Sequence, residues 1–239
     1  MFTPDAKGVN YMTKIKPLIS LSILVLLSSA VLAMGRPPDV EMLFDVNEDG
    51  MTIVRQGPVS RLVKDLPKEP LNQEEKEGII YTVQEEALAV VLYSKFYDKW
   101  KLPIFKKISD SEQTHVQAVA LLAKKYDLDK PLVSDKKLIA LNKILSSQGE
   151  RSLAEALKAG AVIEDISIVD LQKLIKHTNQ DDIKLVYNCL LRGSRNHLRA
   201  FVKKLKTYDV EYAPENLSNK EFNRIISTPH ERGPLKGGK

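Results

Sequence analysis

Five side chains of types that bind metal ions interrupt the predicted apolar faces of four helices. Glu112 and His115 are three residues apart, which places both side chains on one helix face, a turn apart. Helical bundles use this Glu-x-x-His spacing to supply two ligands to one ion. Glu85, Glu164 and His197 interrupt the apolar stripes of three further helices. Because an isolated buried carboxylate is costly, a shared cation is the common explanation for these positions.

The ligand on the first helix has two candidates. Glu85 follows the stripe of that helix, and Glu86 lies one position further round it. The predicted metal ligands are Glu85, Glu86, Glu112, His115, Glu164 and His197. The alternative is a purely structural network of buried polar groups. Glu155 is assigned to a helix cap and not to the site.

Four long helices must position these residues. Asn72 with Glu75, and Ser152 with Glu155, form capping boxes that open two of them, and Pro103 stops the first helix and opens the second. The predicted helices are 72–101, 103–126, 152–177 and 180–208. Only the link 127–151 is long enough to cross the length of a bundle. The sequence therefore predicts an all-α fold: a four-helix bundle with a long crossover between the second and third helices, which is the ferritin-like connectivity.

The bundle is predicted over residues 72–228, and the flanking segments have other roles. Residues 1–33 resemble a signal peptide, with two lysines before an apolar run and a Val-Leu-Ala site, which predicts export to the periplasm or outside the cell. An uncleaved membrane anchor is the alternative. Residues 34–71 read as a linker or small β-hairpin, whose Asp45-x-Asn47-x-Asp49-Gly50 motif lacks the final glutamate of a calcium loop. Residues 229–239 read as a disordered tail.

The charge balance does not favour nucleic acid as a partner. Without residues 1–33, the 36 basic and 31 acidic residues fall to 33 and 30, a net charge of +3. No basic stripe is interleaved with aromatic residues. Cys189 is the single cysteine, so no internal disulfide is expected.

Several strings of the chain resemble a ferritin-like family catalogued as domain of unknown function 2202. They are Gln84-Glu85-Glu86, Ser111-Glu112-Gln113-Thr114-His115, Ser152 to Ala156 with Glu164, and the long string from Gly193 to Phe201. The resemblance covers about residues 72–228.

Membership of the wider ferritin-like di-iron superfamily would imply a carboxylate-bridged pair of iron ions that reacts with dioxygen or peroxide. The superfamily usually has Glu-x-x-His on the fourth helix, whereas this chain has Ser194-x-x-His197. One carboxylate is therefore missing unless Glu86 replaces it. Val90 and Val91 stand where relatives would carry charge, which indicates either an apolar outer face or a partner such as a second copy in a homodimer.

Two classes of function follow. The first is an exported non-haem iron protein with oxidase or peroxidase-type chemistry, with manganese or zinc as other candidate metals, and with Tyr93, Tyr187, Ser194 and Arg195 as neighbours of the ligands. The second is a protein without catalysis that stores or delivers metal, or a structural bundle. The sequence alone does not choose between them.

Overall fold

In the computed structural model, residues 43–128 and 133–232 are described, and they are mostly helical. The long helices are α2 (Gln73–Trp100), α3 (Pro103–Lys125), α5 (Leu153–His177) and α6 (Asp181–Lys206). The shorter elements are β1 (Phe44–Val46), β2 (Thr52–Val54), α1 (Gln56–Asp65), α4 (Lys136–Gly149) and α7 (Asn219–Ile226). The predicted all-α class is thus confirmed, apart from the small hairpin.

The local sequence determines where the long helices begin. The Asn72 side chain accepts a hydrogen bond from the Glu75 amide, and the Glu75 carboxylate accepts one from the Asn72 amide, both at 2.9 Å. Pro103 occupies the first turn of α3, where its missing N–H costs nothing. Ser152 caps α5 by accepting from the Glu155 amide at 3.1 Å. The Glu155 carboxylate accepts from Gln148 at 2.8 Å, so the predicted second capping box is only half formed.

Each long helix packs against two of the other long helices. α2 packs along α3 and α5 along α6, while α2 also contacts α5 and α3 contacts α6. The connection between α3 and α5 contains α4, which packs on the outside of α2 and α5. On the opposite face, β2 and α1 both contact α3 and α6. Shorter elements therefore cover both pairs of long helices.

The segment before α2 contains more structure than the sequence analysis predicted. Its hairpin pairs Phe44 with Val54, and Gly50 takes a φ of 87° in the turn, a conformation that favours glycine. The helix α1 was not predicted. It buries Val59 and Val63, and its Pro58 is the third helical residue, where the amide has no partner within the helix.

The beginning of the predicted tail is held against the helices. Glu231 receives hydrogen bonds from Arg195 and Arg199 of α6. Residues 233–239 and the predicted signal peptide, 1–33, lie outside the described residues. Within the described ranges, none of the helices combines the length and apolar character needed to cross a membrane. Val91, which the sequence predicts on an apolar outer face or at a partner, is 59% exposed on α2.

Candidate metal centre

The four long helices bring five ligand-type side chains together in the middle of the protein. Each is at most 3% exposed to solvent. They are Glu86 of α2, Glu112 and His115 of α3, Glu164 of α5 and His197 of α6. The structure therefore brings together five of the six predicted ligands from four separate helices.

These side chains form two groups of three that share Glu112. The first group is Glu86, Glu112 and His115, and the second is Glu112, Glu164 and His197. In each group the candidate ligand atoms all lie within 4.8 Å of one another. Glu112 gives one oxygen to each group, because its Oε2 lies 2.5 Å from His115 Nδ1 and its Oε1 lies 2.7 Å from His197 Nδ1. The two imidazole rings are 5.7 Å apart on either side of this carboxylate.

A hydrogen-bonded relay fixes the tautomer of His197. Ser111 Oγ lies 2.6 Å from the Thr52 carbonyl, which can only accept, so the hydroxyl proton is donated there. The 2.9 Å contact between Ser111 Oγ and His197 Nε2 must then have the imidazole as donor. His197 therefore carries its first proton on Nε2 and turns Nδ1 toward Glu112 and Glu164, where either a second proton or a cation can bind. Orientation of a ligand histidine through its second nitrogen is typical of metal sites.

A glycine on α6 makes room for the ring of His115. A Cβ on Gly193 would lie 2.4 Å from His115 Cε1 and 2.6 Å from Nε2, closer than real Cβ atoms approach. His115 also faces the carboxylates through Nδ1, which lies 3.5 Å from Glu86 Oε2. Gly193 is therefore required for the His115 ring to occupy its place between α3 and α6.

Four buried polar atoms of the centre make no hydrogen bond to the described residues. Glu86 Oε1, Glu112 Oε1, His115 Nε2 and His197 Nδ1 are buried, and no hydrogen-bond partner for them lies among the described residues. The contact between Glu112 Oε1 and His197 Nδ1 is close, yet it lacks hydrogen-bond geometry. Buried polar atoms are normally satisfied, so the unsatisfied Glu86 Oε1, Glu112 Oε1 and His197 Nδ1 indicate a missing cation. His115 Nε2 does not count toward this, because it faces Gly193 and not the carboxylates. The residues present thus fit a bound metal.

Burial and mutual charge perturb the pKa of every carboxyl and imidazole group in the centre. Burial, reinforced by the charge of Glu112, raises the pKa of Glu86 and of Glu164. Burial would also raise the pKa of Glu112, but His115 and His197 outweigh it and hold that pKa well below its usual range. Burial would lower the pKa of His197, but Glu112 and Glu164 raise it to about 9. The pKa of His115 is raised for the same reason.

Four residues are predicted to be neighbours of the ligands. One of them contacts a candidate ligand, and the other three lie elsewhere. The Tyr93 hydroxyl donates to Glu164 Oε1 at 2.7 Å, and its ring is fully buried. Tyr187 lines a small cavity beside Glu75. Ser194 Oγ donates to the Leu190 carbonyl of its own helix, and Arg195 pairs with Glu231. Of these four, only Tyr93 has a described contact with a candidate ligand.

Glu85, the sixth predicted ligand, belongs to neither group of three. Its side chain is buried, 7% exposed, and lines a cavity between α2, α4 and α5. On the first helix the structure thus places Glu86, and not Glu85, beside Glu112 and His115.

An aromatic layer packs beside the centre. Tyr93 and Phe201 have ring centroids 5.5 Å apart, Phe201 and Phe105 are 6.1 Å apart, and Phe105 and Phe96 are 5.4 Å apart. All four rings are buried. Because Tyr93 binds Glu164, the layer continues directly into the candidate ligands and keeps water from that side.

Sequence reasoning missed Ser111, Thr52 and Gly193 as residues of the centre. Ser111 directly precedes Glu112, but serine in a helix usually bonds its own backbone and gives no particular signal. Thr52 lies about sixty residues away in the hairpin, so only the fold brings it to α3. Gly193 could have been noticed, since a glycine inside a long helix needs a packing reason.

Comparison with known proteins gives one family and one close relative of known structure. A family model described as "Uncharacterized protein domain (DUF2202)" matches residues 75–229. The uncharacterized protein MJ0754 of Methanocaldococcus jannaschii is 47% identical over 178 residues, which cover 72% of this chain and 96% of that protein. The crystal structure of hypothetical protein MJ0754 from Methanococcus jannaschii aligns with a TM-score of 0.67 at 46% identity, covering 70% of this chain and 99% of that one. All six predicted ligands fall inside the family match.

Substitution of Gly193 tests the packing of His115. We expect Gly193→Ala to destabilise the metal-free protein by about 1–3 kcal/mol, because the added methyl group overpacks a fixed, buried ring. Urea unfolding measures this directly. The matched control is Gly57→Ala in α1, where nothing lies within 4 Å of the new Cβ, and which should leave stability equal or slightly higher. Equal stability of both variants would contradict the assigned role of Gly193.

The pH dependence of stability tests the electrostatics of the centre. A histidine whose pKa rises on folding from 6.5 to about 9 stabilises the fold fully below pH 6.5, and this contribution is lost as the pH rises through 9. The raised pKa values of His115, Glu86 and Glu164 act in the same direction. We therefore expect the free energy of unfolding of the chelator-treated protein to fall between pH 6.5 and 9 by about 3 kcal/mol from His197 alone, and further from the other groups.

Urea unfolding at the two pH values, in chelator, makes the measurement. Protein saturated with a divalent metal is the control, because metal holds histidine neutral and carboxylates ionised and so removes the dependence. Stability of the chelator-treated protein that stays level or rises toward pH 9 would contradict the described charge arrangement.

Proposed function

We propose that this chain, which belongs to the DUF2202 family, holds two metal ions between its long helices, in two groups of ligands that share Glu112. We further propose that these helices form a ferritin-like four-helix bundle, with the segment that contains α4 as its long crossover. The main support for the proposal is the buried set of three carboxylates and two imidazoles, in which Glu86 Oε1, Glu112 Oε1 and His197 Nδ1 have no hydrogen-bond partner among the described residues.

Charge is the first argument for bound cations. Glu86, Glu112 and Glu164 would place three negative charges in a space that excludes water, and two neutral histidines do not compensate them. Burying uncompensated charge costs several kcal/mol per ion. Without metal the protein must protonate several of these groups, as the raised pKa values indicate. Cations remove that requirement.

The donor set restricts the choice of metal. Each group offers two carboxylates and one imidazole and no sulfur, a combination suited to iron, manganese or zinc. The ferritin-like arrangement favours iron. Ser194 takes the place of the carboxylate usual on the fourth long helix, here α6. The two groups share one carboxylate, that of Glu112. Glu86 completes the first group and Glu164 the second.

The chain itself supplies orientation and exclusion of water. Ser111 holds His197 with Nδ1 toward the carboxylates, and Tyr93 donates a hydrogen bond to Glu164. The aromatic layer next to Tyr93 keeps the centre dry. Iron bound there would supply redox chemistry toward dioxygen or peroxide, so an oxidase or peroxidase-type activity is the catalytic form of the proposal. Export, from the predicted signal peptide, is also part of it.

One observation favours a second function without catalysis. The five ligand-type side chains are at most 3% exposed, so the centre is closed to solvent. Closed coordination is typical of sites that hold metal for structure or storage, whereas catalytic sites keep an open position. Metal storage, delivery or stabilisation of the fold is therefore the competing function.

Metal content tests the proposal. We expect the full chain, purified without a metal-affinity tag and reconstituted anaerobically with Fe(II), to hold two metal ions, one for each ligand group. Glu112→Gln should lose both, because that carboxylate serves both groups. Elemental analysis against protein concentration gives the count.

The matched control is Glu155→Gln, which removes a carboxylate from α5 outside the centre and should leave the metal content unchanged. A folded wild-type chain that holds no metal after reconstitution with iron, manganese and zinc would overturn the proposal. Bound metal that survives in Glu112→Gln would contradict the shared role of this residue.

A further inference from the structure

A cavity apart from the proposed metal centre lies between the start of α3 and the end of α6. Its volume is about 350 Å³, which is in the size range of small-molecule binding sites. The hairpin turn between β1 and β2 and the segment after α7 form its other walls. Among the described residues that line it there is none of the six predicted metal ligands. The cavity therefore needs an explanation other than the metal centre.

The lining of this cavity is largely apolar. Met51 of the hairpin and Ala200 of α6 are buried. Leu102, Pro103 and Ile104, at the start of α3, supply the rest of the apolar surface. In small-molecule sites, apolar side chains usually contact the body of the ligand and a few polar groups fix its orientation. The apolar lining thus fits a ligand with a compact apolar part.

The charged side chains at the cavity add up to a net positive charge. Lys107 and Asp49 form an ion pair, so their charges cancel. Lys203 forms no hydrogen bond or ion pair with the described residues. The ammonium group of Lys204 lies 5.5 Å from the centroid of the Tyr208 ring, a contact that does not neutralise it. Two positive charges in the last turn of α6 therefore remain available to an anion.

His230 forms a wall of the cavity because Gly50 has no side chain. A Cβ on Gly50 would overlap the imidazole ring of His230. Burial lowers the pKa of His230, and the nearby charges of Arg199, Arg232 and Lys203 lower it further. The ring is therefore neutral at pH 7, and the cationic groups around it create a positive potential at this wall.

We propose that this cavity binds a small organic carboxylate with an apolar body, whose carboxylate lies beside Lys203 and Lys204 and whose body lies against the apolar lining. The lining disfavours a hydrated inorganic anion, because such an anion would leave the buried apolar side chains without contact. The two ammonium groups disfavour a neutral apolar ligand. The same charges would repel a metal cation, so this site is separate from the metal centre and does not depend on it.

Isothermal titration calorimetry of the full chain with octanoate, at low ionic strength, tests the proposal. We expect one octanoate to bind per chain, with a dissociation constant on the order of 1 mM. The double variant Lys203→Gln, Lys204→Gln should bind roughly tenfold more weakly, because it loses both charges that the carboxylate contacts. The matched control is Lys206→Gln, Lys220→Gln, which removes two exposed lysines outside the cavity and should bind octanoate like the wild type.

Two further ligands separate the charge of octanoate from its apolar body. Acetate keeps the carboxylate and octanamide keeps the chain, and we expect each to bind at least about tenfold more weakly than octanoate. Ala200→Leu keeps the lysines and fills part of the cavity, so it should also weaken the binding of octanoate. Circular dichroism of each variant checks that the helix content is unchanged.

Octanamide that binds as tightly as octanoate would overturn the proposal, because the lysines would then have no role. Equally tight binding of acetate would also overturn it, since the apolar lining would then have no role. A wild-type chain that binds no octanoate, or a control variant that loses binding as much as the Lys203→Gln, Lys204→Gln variant, would contradict the assigned site. None of these results bears on the metal centre.

Discussion

The interaction on which the rest of this structure depends is the position of Glu112 between two histidines. One carboxylate oxygen faces His115 and the other faces His197. Glu112 and His115 come from α3 and His197 comes from α6, so this contact fixes how those helices meet. The remaining carboxylates approach from α2 and α5. The same residues therefore determine both the packing of the long helices and the charge compensation at the centre.

The elements that pack against the long helices support this arrangement. The hairpin supplies the Thr52 carbonyl that sets the proton of Ser111, and through it the tautomer of His197. Asn196, next to His197, donates to the Thr52 hydroxyl and connects to the end of the described chain at Glu231. The segments before α2 and after α7 thus hold one wall of the centre in place. On the other wall, α4 covers the groove that contains Glu85.

Much of the centre could be predicted because helical spacing is regular. Glu112, His115, Glu164 and His197 each interrupt an apolar stripe with a period near 3.6, and a buried stripe on a long helix faces its neighbours. The choice between Glu85 and Glu86 could not be made that way. Both are buried, because α2 has neighbours in α3, α4 and α5, and a helix covered on several sides has no single core face.

The features that sequence reasoning missed depend on contacts between distant segments. Gly57 and Pro58 look like a turn, yet they begin α1, because helices tolerate proline where the first amides have no partner. The stability of α1 comes from burying Val59 and Val63 against α3 and α6, and the local sequence does not encode these contacts. Glu231 likewise looks like part of a polar tail until Arg195 and Arg199 are brought beside it by the fold.

Anomalous diffraction at the iron edge, from crystals of the full chain grown with Fe(II) without oxygen, would show directly whether two irons bind at Glu112. We expect two anomalous peaks, one on each side of Glu112, separated by about 3.5–4 Å as in other two-metal sites. The first peak should lie against Glu86 and His115, and the second against Glu164 and His197. A crystal grown with Fe(II) that shows no peak there, and in which Glu112 is hydrogen-bonded to both histidines, would contradict the two-metal centre.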